Sequence, residues 1–307
     1  MATVTITGGT GLIGAALTKK LLEKGHDVIV LTRHQKPSKG KIQYKVWDVQ
    51  RGQLDATAIT EADYLVHLAG ANVADGRWSE KRKKEIVDSR VKSGELLTKT
   101  LNTEKNHVKT VISASAIGWY GPDPQIPNPR PFQENDKAAT DFLGATCQQW
   151  EASIQPVTSL GKRLVIFRTG VVLSNAGGAY AEFRKPVNFG AATILGNGNQ
   201  IISWIHIDDV VRLYLAAMED TRWQGIYNAV APKPVSNKEL ILAIAQQKGS
   251  IYIPFQVPSF ALRIALGEMS VEVLKSATVS AQKAEAEGFT FLYPTIGKAV
   301  AALQHEA

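Results

Sequence analysis

The sequence predicts an α/β fold of the doubly wound kind, a parallel sheet with helices on both faces, followed by a smaller, mostly helical lobe. Three features carry that expectation. Short β-branched runs alternate with helix-period stretches through the first two-thirds of the chain. A cluster of glycines follows the first of those runs, and after about Gly170 the texture turns rich in glycine and asparagine. With 307 residues, 44% hydrophobic and 21% charged, the chain has apolar material for one large or two modest cores and is not a disordered one.

Taken in order, the strand candidates are Val4 to Thr7, Val28 to Thr32, Gln43 to Trp47, Tyr64 to Leu68, Val108 to Ser113 and Leu164 to Arg168. Between the first two, Leu12, Ala16, Lys19, Lys20 and Glu23 sort apolar from charged positions at the 3.6 period, and Gly25 closes the helix. The stretch from Ser79 to Leu101 also reads as helix. The segment Pro122 to Pro131, with five prolines in ten positions, reads as an ordered loop over a site, because regular patterning resumes directly after it. Beyond Gly170 only Gly225 to Val230 reads as a strand, one that returns to the main sheet. The tail from Ser236 reads as helices broken by Pro254 and Pro258. The expected division is a dinucleotide-binding domain over 1–170, with the return strand near 225–230, and a substrate lobe with a helical extension over 171–307.

Composition narrows the function classes. No apolar stretch approaches the roughly 18 residues needed to span a bilayer, and Met1 to Thr7 lacks the basic start and apolar run of a secretory signal. One cysteine, Cys147, forbids an intrachain disulfide and fits a reducing, cytoplasmic setting. Six histidines and that thiol show no paired ligand spacing, so no metal site is expected. The net charge of +7 invites a nucleic-acid reading. Its densest run, Lys81 to Lys84, is flanked by Glu80 and Glu85 and carries no aromatic residues for base stacking, so it reads as a solvated helix face.

The most informative segment is Gly8-Gly9-Thr10-Gly11-Leu12-Ile13-Gly14, between a strand and a helix. There, one glycine permits the tight turn, the next admits a pyrophosphate to the backbone, and Gly14 lets helix and strand pack closely. The helix start then offers unpaired N–H donors and roughly half a positive charge to phosphates. This is the fingerprint of a Rossmann-type doubly wound parallel sheet. A carboxylate about 20 residues on would bind the ribose 2′-hydroxyl of NAD. Here the second strand ends instead in Thr32-Arg33-His34, with Lys36 and Lys39 following. Arg33 suits a 2′-phosphate, so the expected cofactor is NADP(H); the bland alternative is a surface charge.

These residues, in this order, resemble the short-chain dehydrogenase/reductase superfamily in its extended, sugar-nucleotide-epimerase-like form. Leu65-Val66-His67-Leu68-Ala69-Gly70 resembles its fourth-strand signature, and Ser113-Ala114-Ser115 with Trp119-Tyr120-Gly121 its serine strand. Trp204 to Val210 resembles its late His-x-Asp-Asp block, and Tyr227-Asn228-Ala229 its return strand. A finer likeness is to an atypical "epimerase family" subgroup, through Arg77-Trp78, Glu85, Ser89-Arg90, Trp150-Glu151, Arg168 to Leu173 and a C-terminal extension ending near Gly288-Phe289. The resemblance implies a cofactor site of Gly8, Thr10, Gly11, Leu12, Ile13, Gly14, Thr32, Arg33, Leu68, Ala69, Gly70, Glu85, Arg90, Ser113 and Val172. It implies a small-molecule carbonyl or nucleotide-sugar substrate; the expected assembly is a monomer or homodimer, and composition points to no nucleic-acid or membrane partner.

One departure matters. Active superfamily members carry Tyr-x-x-x-Lys on the helix after the serine strand, the tyrosine as acid/base and the lysine lowering its pKa. None of the eight tyrosines here has lysine at +4, and the expected helix holds Phe142, Leu143, Thr146 and Cys147 instead. Three readings stay open. Tyr120, helped by Ser115, transfers the proton; a substrate group or water does so; or the site is a non-catalytic NADP(H)-binding sensor or scaffold. Cys147 reads as a core residue and His206 as structural, with Asp208 capping the following helix. Trp78, Trp204 and Tyr180 are candidates for an aromatic substrate wall or for plain packing, and Tyr180 with Arg184 for an anion site or a surface pair.

Overall fold

The structure, a computed structural model, describes residues 1–249 and 251–305. Its first half runs β1 (Thr3–Thr7), α1 (Leu12–Glu23), β2 (Asp27–Thr32), β3 (Ile42–Asp48), β4 (Gln53–Leu54), α2 (Thr57–Thr60), β5 (Tyr64–His67), α3 (Glu80–Thr103), β6 (Thr110–Ala116), α4 (Phe142–Ile154) and β7 (Arg163–Thr169). There follow β8 (Val171–Leu173), α5 (Gly178–Asn188), β9 (Ala191–Leu195), β10 (Ile201–Ile202), β11 (Trp204–His206), α6 (Ile207–Glu219) and β12 (Gly225–Ala229). The chain closes with β13 (Val235–Ser236), α7 (Asn237–Lys248), β14 (Ile253–Val257), α8 (Ser259–Leu266), α9 (Ser270–Leu274), α10 (Gln282–Ala286) and α11 (Ile296–His305).

The main sheet has the order β12-β7-β6-β5-β1-β2-β3-β4, parallel except for β4. Strand alternation builds its two faces. Val4, Ile6, Val28, Val30, Val66 and Phe167 point toward α1 and α6, packing on Leu17, Leu21, Val210 and Tyr214. Ile29, Leu31, Leu65, Val111 and Ile166 point the other way, toward Leu97 and Leu101 of α3 and Ile154 of α4. Such runs, apolar at every position, are what a sheet covered on both sides requires. All six expected strands lie in this sheet, and β12 returns to it beside β7.

The second lobe holds more strand than the mostly helical expectation. Three two-stranded pairs lie there or at its border: β8 with β11, β9 with β14 and β10 with β13. Each strand has two to five residues and a partner 33 or more positions away, so no local periodicity announces it. Pro254 is therefore no helix breaker: it sits inside β14, which has a partner on one side only, where a missing N–H is tolerated. Around these strands Leu173, Tyr180, Trp204, Leu240, Ile244 and Leu303 form a separate core.

Carboxylates help join the lobes. The proline-rich loop is ordered: the Asp123 carboxylate accepts from Ser276 Oγ (2.7 Å), Thr278 N (2.9 Å), Thr278 Oγ1 (2.8 Å) and Asn128 Nδ2 (2.8 Å). Asp209, fully buried on α6, accepts from the amides of Leu292 and Tyr293 and from Arg212. No helix among the described residues is long and apolar enough to cross a membrane.

Candidate functional site

The glycine turn lies at the C-terminal edge of the main sheet, between β1 and α1. Gly8 has φ +67°, and a Cβ there would stand 2.8 Å from the Leu68 carbonyl oxygen at the end of β5. A Cβ on Gly14 would stand 2.3 Å from the Gly8 oxygen and 2.6 Å from Gly9 Cα, so only glycine closes this turn. Gly11 N donates to Gly8 O at 2.9 Å, and Gly11 precedes α1 without a side-chain cap, leaving the amides of Leu12, Ile13 and Gly14 without intrahelical partners. Thr10 and Gly11 are exposed beside them. This is a cradle that side chains would fill and a phosphate fits.

Thr7 explains how β5 is held against the turn. Its Oγ1 accepts from the amides of Leu68 (3.0 Å) and Ala69 (3.1 Å) and lies 2.8 Å from His67 Nδ1. With both lone pairs used, the hydroxyl proton goes to Nδ1, so the ring proton sits on Nε2, facing Ser93 Oγ at 3.3 Å. Burial, with Arg90 nearby, pushes the His67 pKa down to about 3. The unfolded chain binds that proton near pH 6.5 and the folded one only near 3, so this ring's contribution to stability is present above pH 6.5 and is lost as pH falls. We expect His67→Gln to flatten the acid limb of urea-unfolding stability by up to about 1.4 kcal/mol per pH unit between pH 6 and 4. An unchanged slope would contradict the neutral buried ring.

Thr32 is buried at the end of β2, its hydroxyl donating to the His34 carbonyl at 2.7 Å and shaping the turn that leaves Arg33 exposed. The loop that follows, to Gly40, carries no carboxylate and stays exposed. Val172 lies on β8, and a Cβ on Gly178, the first residue of α5, would stand 3.2 Å from Leu12 Cδ2, so the second lobe reaches the glycine turn. Arg90 stands behind Gly70: it donates to the carbonyls of Ala71 (3.0 Å) and Ile86 (2.9 Å) and lies over the Trp150 ring, and burial pushes its pKa down to about 10. It braces the loop after β5. Glu85 is exposed and paired with Arg82 at 2.7 Å, while Ser113 is buried with its hydroxyl on the Ala114 carbonyl.

The two catalytic candidates are enclosed. Ser115 and Tyr120 are buried in one polar network. Arg168, 1% exposed, grips Glu151 with two parallel bonds of 2.8 and 2.9 Å, donates to Tyr120 Oη (3.2 Å) and the Glu134 carbonyl (3.0 Å), and lies 3.6 Å from the Trp119 ring centroid. Burial opposes the Arg168 charge, but Glu151 outweighs it and raises the pKa. Ser115 Oγ donates to Glu151 at 2.6 Å, and Tyr120 Oη donates to Asn228 Oδ1 at 2.7 Å. Tyr120 is fully buried and stacked on Phe132, and burial pushes its pKa up to about 12. In this geometry the Tyr120 proton is held by Asn228. The network ties β6, α4, β7 and β12 together.

The helix face that would carry an acid/base pair is apolar. A Cβ on Gly118, just after β6, would lie 3.1 Å from Leu143 Cβ and 3.7 Å from Cys147 Sγ, so residues four apart on α4 face the end of the serine strand. Cys147 is buried, burial pushing its thiol up to about 11, and is inert there. His206, not Asp208, caps α6: its Nδ1 accepts from the Asp208 amide at 3.2 Å. Trp204 and Tyr180 are fully buried in the second core and form no substrate wall. Trp78 packs on Phe142 with centroids 5.0 Å apart, and Arg184 is held by Asn175. The Lys81–Lys84 run is largely paired, Arg82 with Glu85, Lys83 with Glu268 and Lys84 with Asp88.

Comparison with known proteins places this geometry. Residues 4–229 match the NAD dependent epimerase/dehydratase family, and residues 257–303 match a domain of unknown function, DUF1731. The chain is 36% identical over 300 residues to epimerase family protein ML0860 of Mycobacterium leprae, covering 97% of this chain and 94% of that one. It superimposes on the crystal structure of human epimerase family protein SDR39U1 (isoform 2) with NADPH at a TM-score of 0.88, with 28% identity over 99% of this chain and 100% of that one. The nucleoside-diphosphate sugar epimerase from Corynebacterium glutamicum gives a TM-score of 0.78 at 33% identity, over 99% of this chain and 58% of that one.

Proposed function

The chain belongs to the NAD dependent epimerase/dehydratase family, and on that premise we propose that it is an NADP(H)-dependent oxidoreductase or epimerase acting on a carbonyl or nucleotide-sugar substrate. The observation that carries the cofactor choice is Arg33, exposed at the tip of β2 in a turn with no carboxylate. The human relative whose structure contains NADPH supports the same choice.

The glycine turn and the open start of α1 would hold the pyrophosphate, Arg33 the 2′-phosphate, and Leu68 and Ala69 the wall between them and β6. The dinucleotide, when bound, supplies or accepts a hydride. Trp78 against Phe142 packs α4 onto the loop after β5 and keeps water from that side. The reading extends to a cytoplasmic monomer or homodimer acting on a small molecule, with the single thiol as support for the compartment.

In fluorescence titrations, Arg33→Ala is expected to weaken NADPH by roughly 10- to 100-fold while leaving NADH within about threefold. Equal loss of both would remove Arg33 from the 2′-phosphate role. The enclosure of Ser115 and Tyr120 favours a second reading, a cofactor-binding sensor without turnover. NADPH oxidation with any member of a carbonyl and sugar-nucleotide panel would exclude it.

A further inference from the structure

The exposed apolar side chains of this chain are gathered in one place. Phe189, Ile253, Phe255, Phe260, Ile264 and Val271 are 46–90% exposed, and all six lie on β14, on the α8–α9 segment or in the turn before β9. Single apolar residues on a surface need no account, but a cluster does. The register of β9 with β14 explains the first part of it. Ala192 and Ile194 of β9 turn into the second core, so Ala191 and Thr193 turn away from it, and their partners Ile253 and Phe255 share that outward face. Phe189 stands at the start of this ribbon, next to Gly190, whose carbonyl accepts from Ile253 N at 2.8 Å. On α8, Leu262 turns inward, and Phe260 and Ile264, one helical turn apart, share the side that meets water.

The face is held in place and nearly uncharged. Arg77, from the loop after β5, donates to the carbonyls of Ile264 and Ala265, and Lys83 on α3 meets Glu268 at 2.6 Å. From Ile251 to Gly267 the sequence holds one charged residue, Arg263, so neither a polyanion nor an anionic membrane finds more than one countercharge there. An added strand is disfavoured as well. Ile253 N points to β9, so Pro254 takes the free edge of β14 and offers no N–H. A neutral apolar face is best matched by another of the same kind, and a second copy of the chain carries one. The six side chains bare on the order of 700 Å² per copy, near the ~800 Å² per partner of a standard interface.

We propose that the chain forms a homodimer through α8 and the outward face of β14, about a two-fold axis. The axis passes the middle of α8, so that Phe260 of each copy covers Ile264 of the other, with β14 flanking the contact. The proposal does not depend on the cofactor reading, and no nucleotide enters its test.

Sedimentation equilibrium of wild type over roughly 1–100 µM should approach twice the chain mass, with a Kd of about 10 µM or below. The dimer should hold in ~0.5 M NaCl, since an apolar contact is not screened and the +7 charges of the two copies are. Phe260→Asp and Ile264→Lys should each raise Kd by about tenfold or more. Both variants should keep the wild-type circular dichroism, and the wild-type urea midpoint at a dilution where wild type is monomeric, because both side chains already sit in water in the single chain. An equimolar mixture of the two variants should recover part of the dimer, since an Asp from one copy then meets a Lys from the other across the axis. No other occupant of this face allows that rescue. A wild-type monomer at every concentration, dissociation by salt, a dimer indifferent to both variants, or a mixture without recovery would each overturn the proposal. A wild-type monomer that floats with phosphatidylcholine vesicles would overturn it too, and would give the face to a lipid surface.

Discussion

Glu151→Gln is expected to destabilise the protein by about 3–5 kcal/mol, because it strands the Arg168 guanidinium inside the core without its counter-charge. The two parallel bonds to Glu151 are the shortest that Arg168 makes, and the side chain is 1% exposed, so water does not take over. Ser115 and Tyr120 share the network, and both lose geometry with it. The control is Glu151→Leu with Arg168→Met, which removes both charges from a site that can close over apolar atoms. The double variant should be less destabilised than Glu151→Gln alone in urea unfolding. If both singles and the double were additive within about 0.5 kcal/mol, the pair would not be the joint that holds β6, α4 and β7.

Gly14→Ala is expected to abolish measurable NADPH binding and to cost roughly 1–3 kcal/mol of stability, since the added carbon meets backbone rather than a flexible side chain. The contact would be 2.3 Å to the Gly8 oxygen. Relief requires α1 to move off β1, which withdraws the amides that face the phosphates. Gly11→Ala is the internal comparison. Its Cβ would stand 3.3 Å from the same oxygen, at an exposed position, and a milder loss in cofactor titration should follow. Equal binding by Gly14→Ala and wild type would remove the turn from the cofactor site.

The parts that sequence revealed are local. Strand, glycine turn and helix occupy consecutive residues, so spacing from Thr7 to Gly14 carries the whole geometry, and Arg33 follows from where β2 stops. Thr7 carries a signal of its own: a threonine directly before the glycines, with His67-Leu68-Ala69 at the end of a neighbouring strand, supplies the hydroxyl that joins them. Ser115 and Tyr120 resemble catalytic residues in sequence, while the structure encloses them against Glu151, Arg168 and Asn228. That burial depends on partners 36 to 108 positions away.

The sequence by itself determined the parallel sheet and its dinucleotide turn, because backbone conformation and apolar alternation act between near neighbours. It also determined the absence of Tyr-x-x-x-Lys, which is a matter of residue identity. Only the tertiary structure decided that β10, β13 and β14 exist and that Glu151 answers Arg168. Those outcomes depend on which distant groups leave water together, and the free energy of burying a charge or an unpaired strand is set by the partner that folding brings, not by the chain next to it.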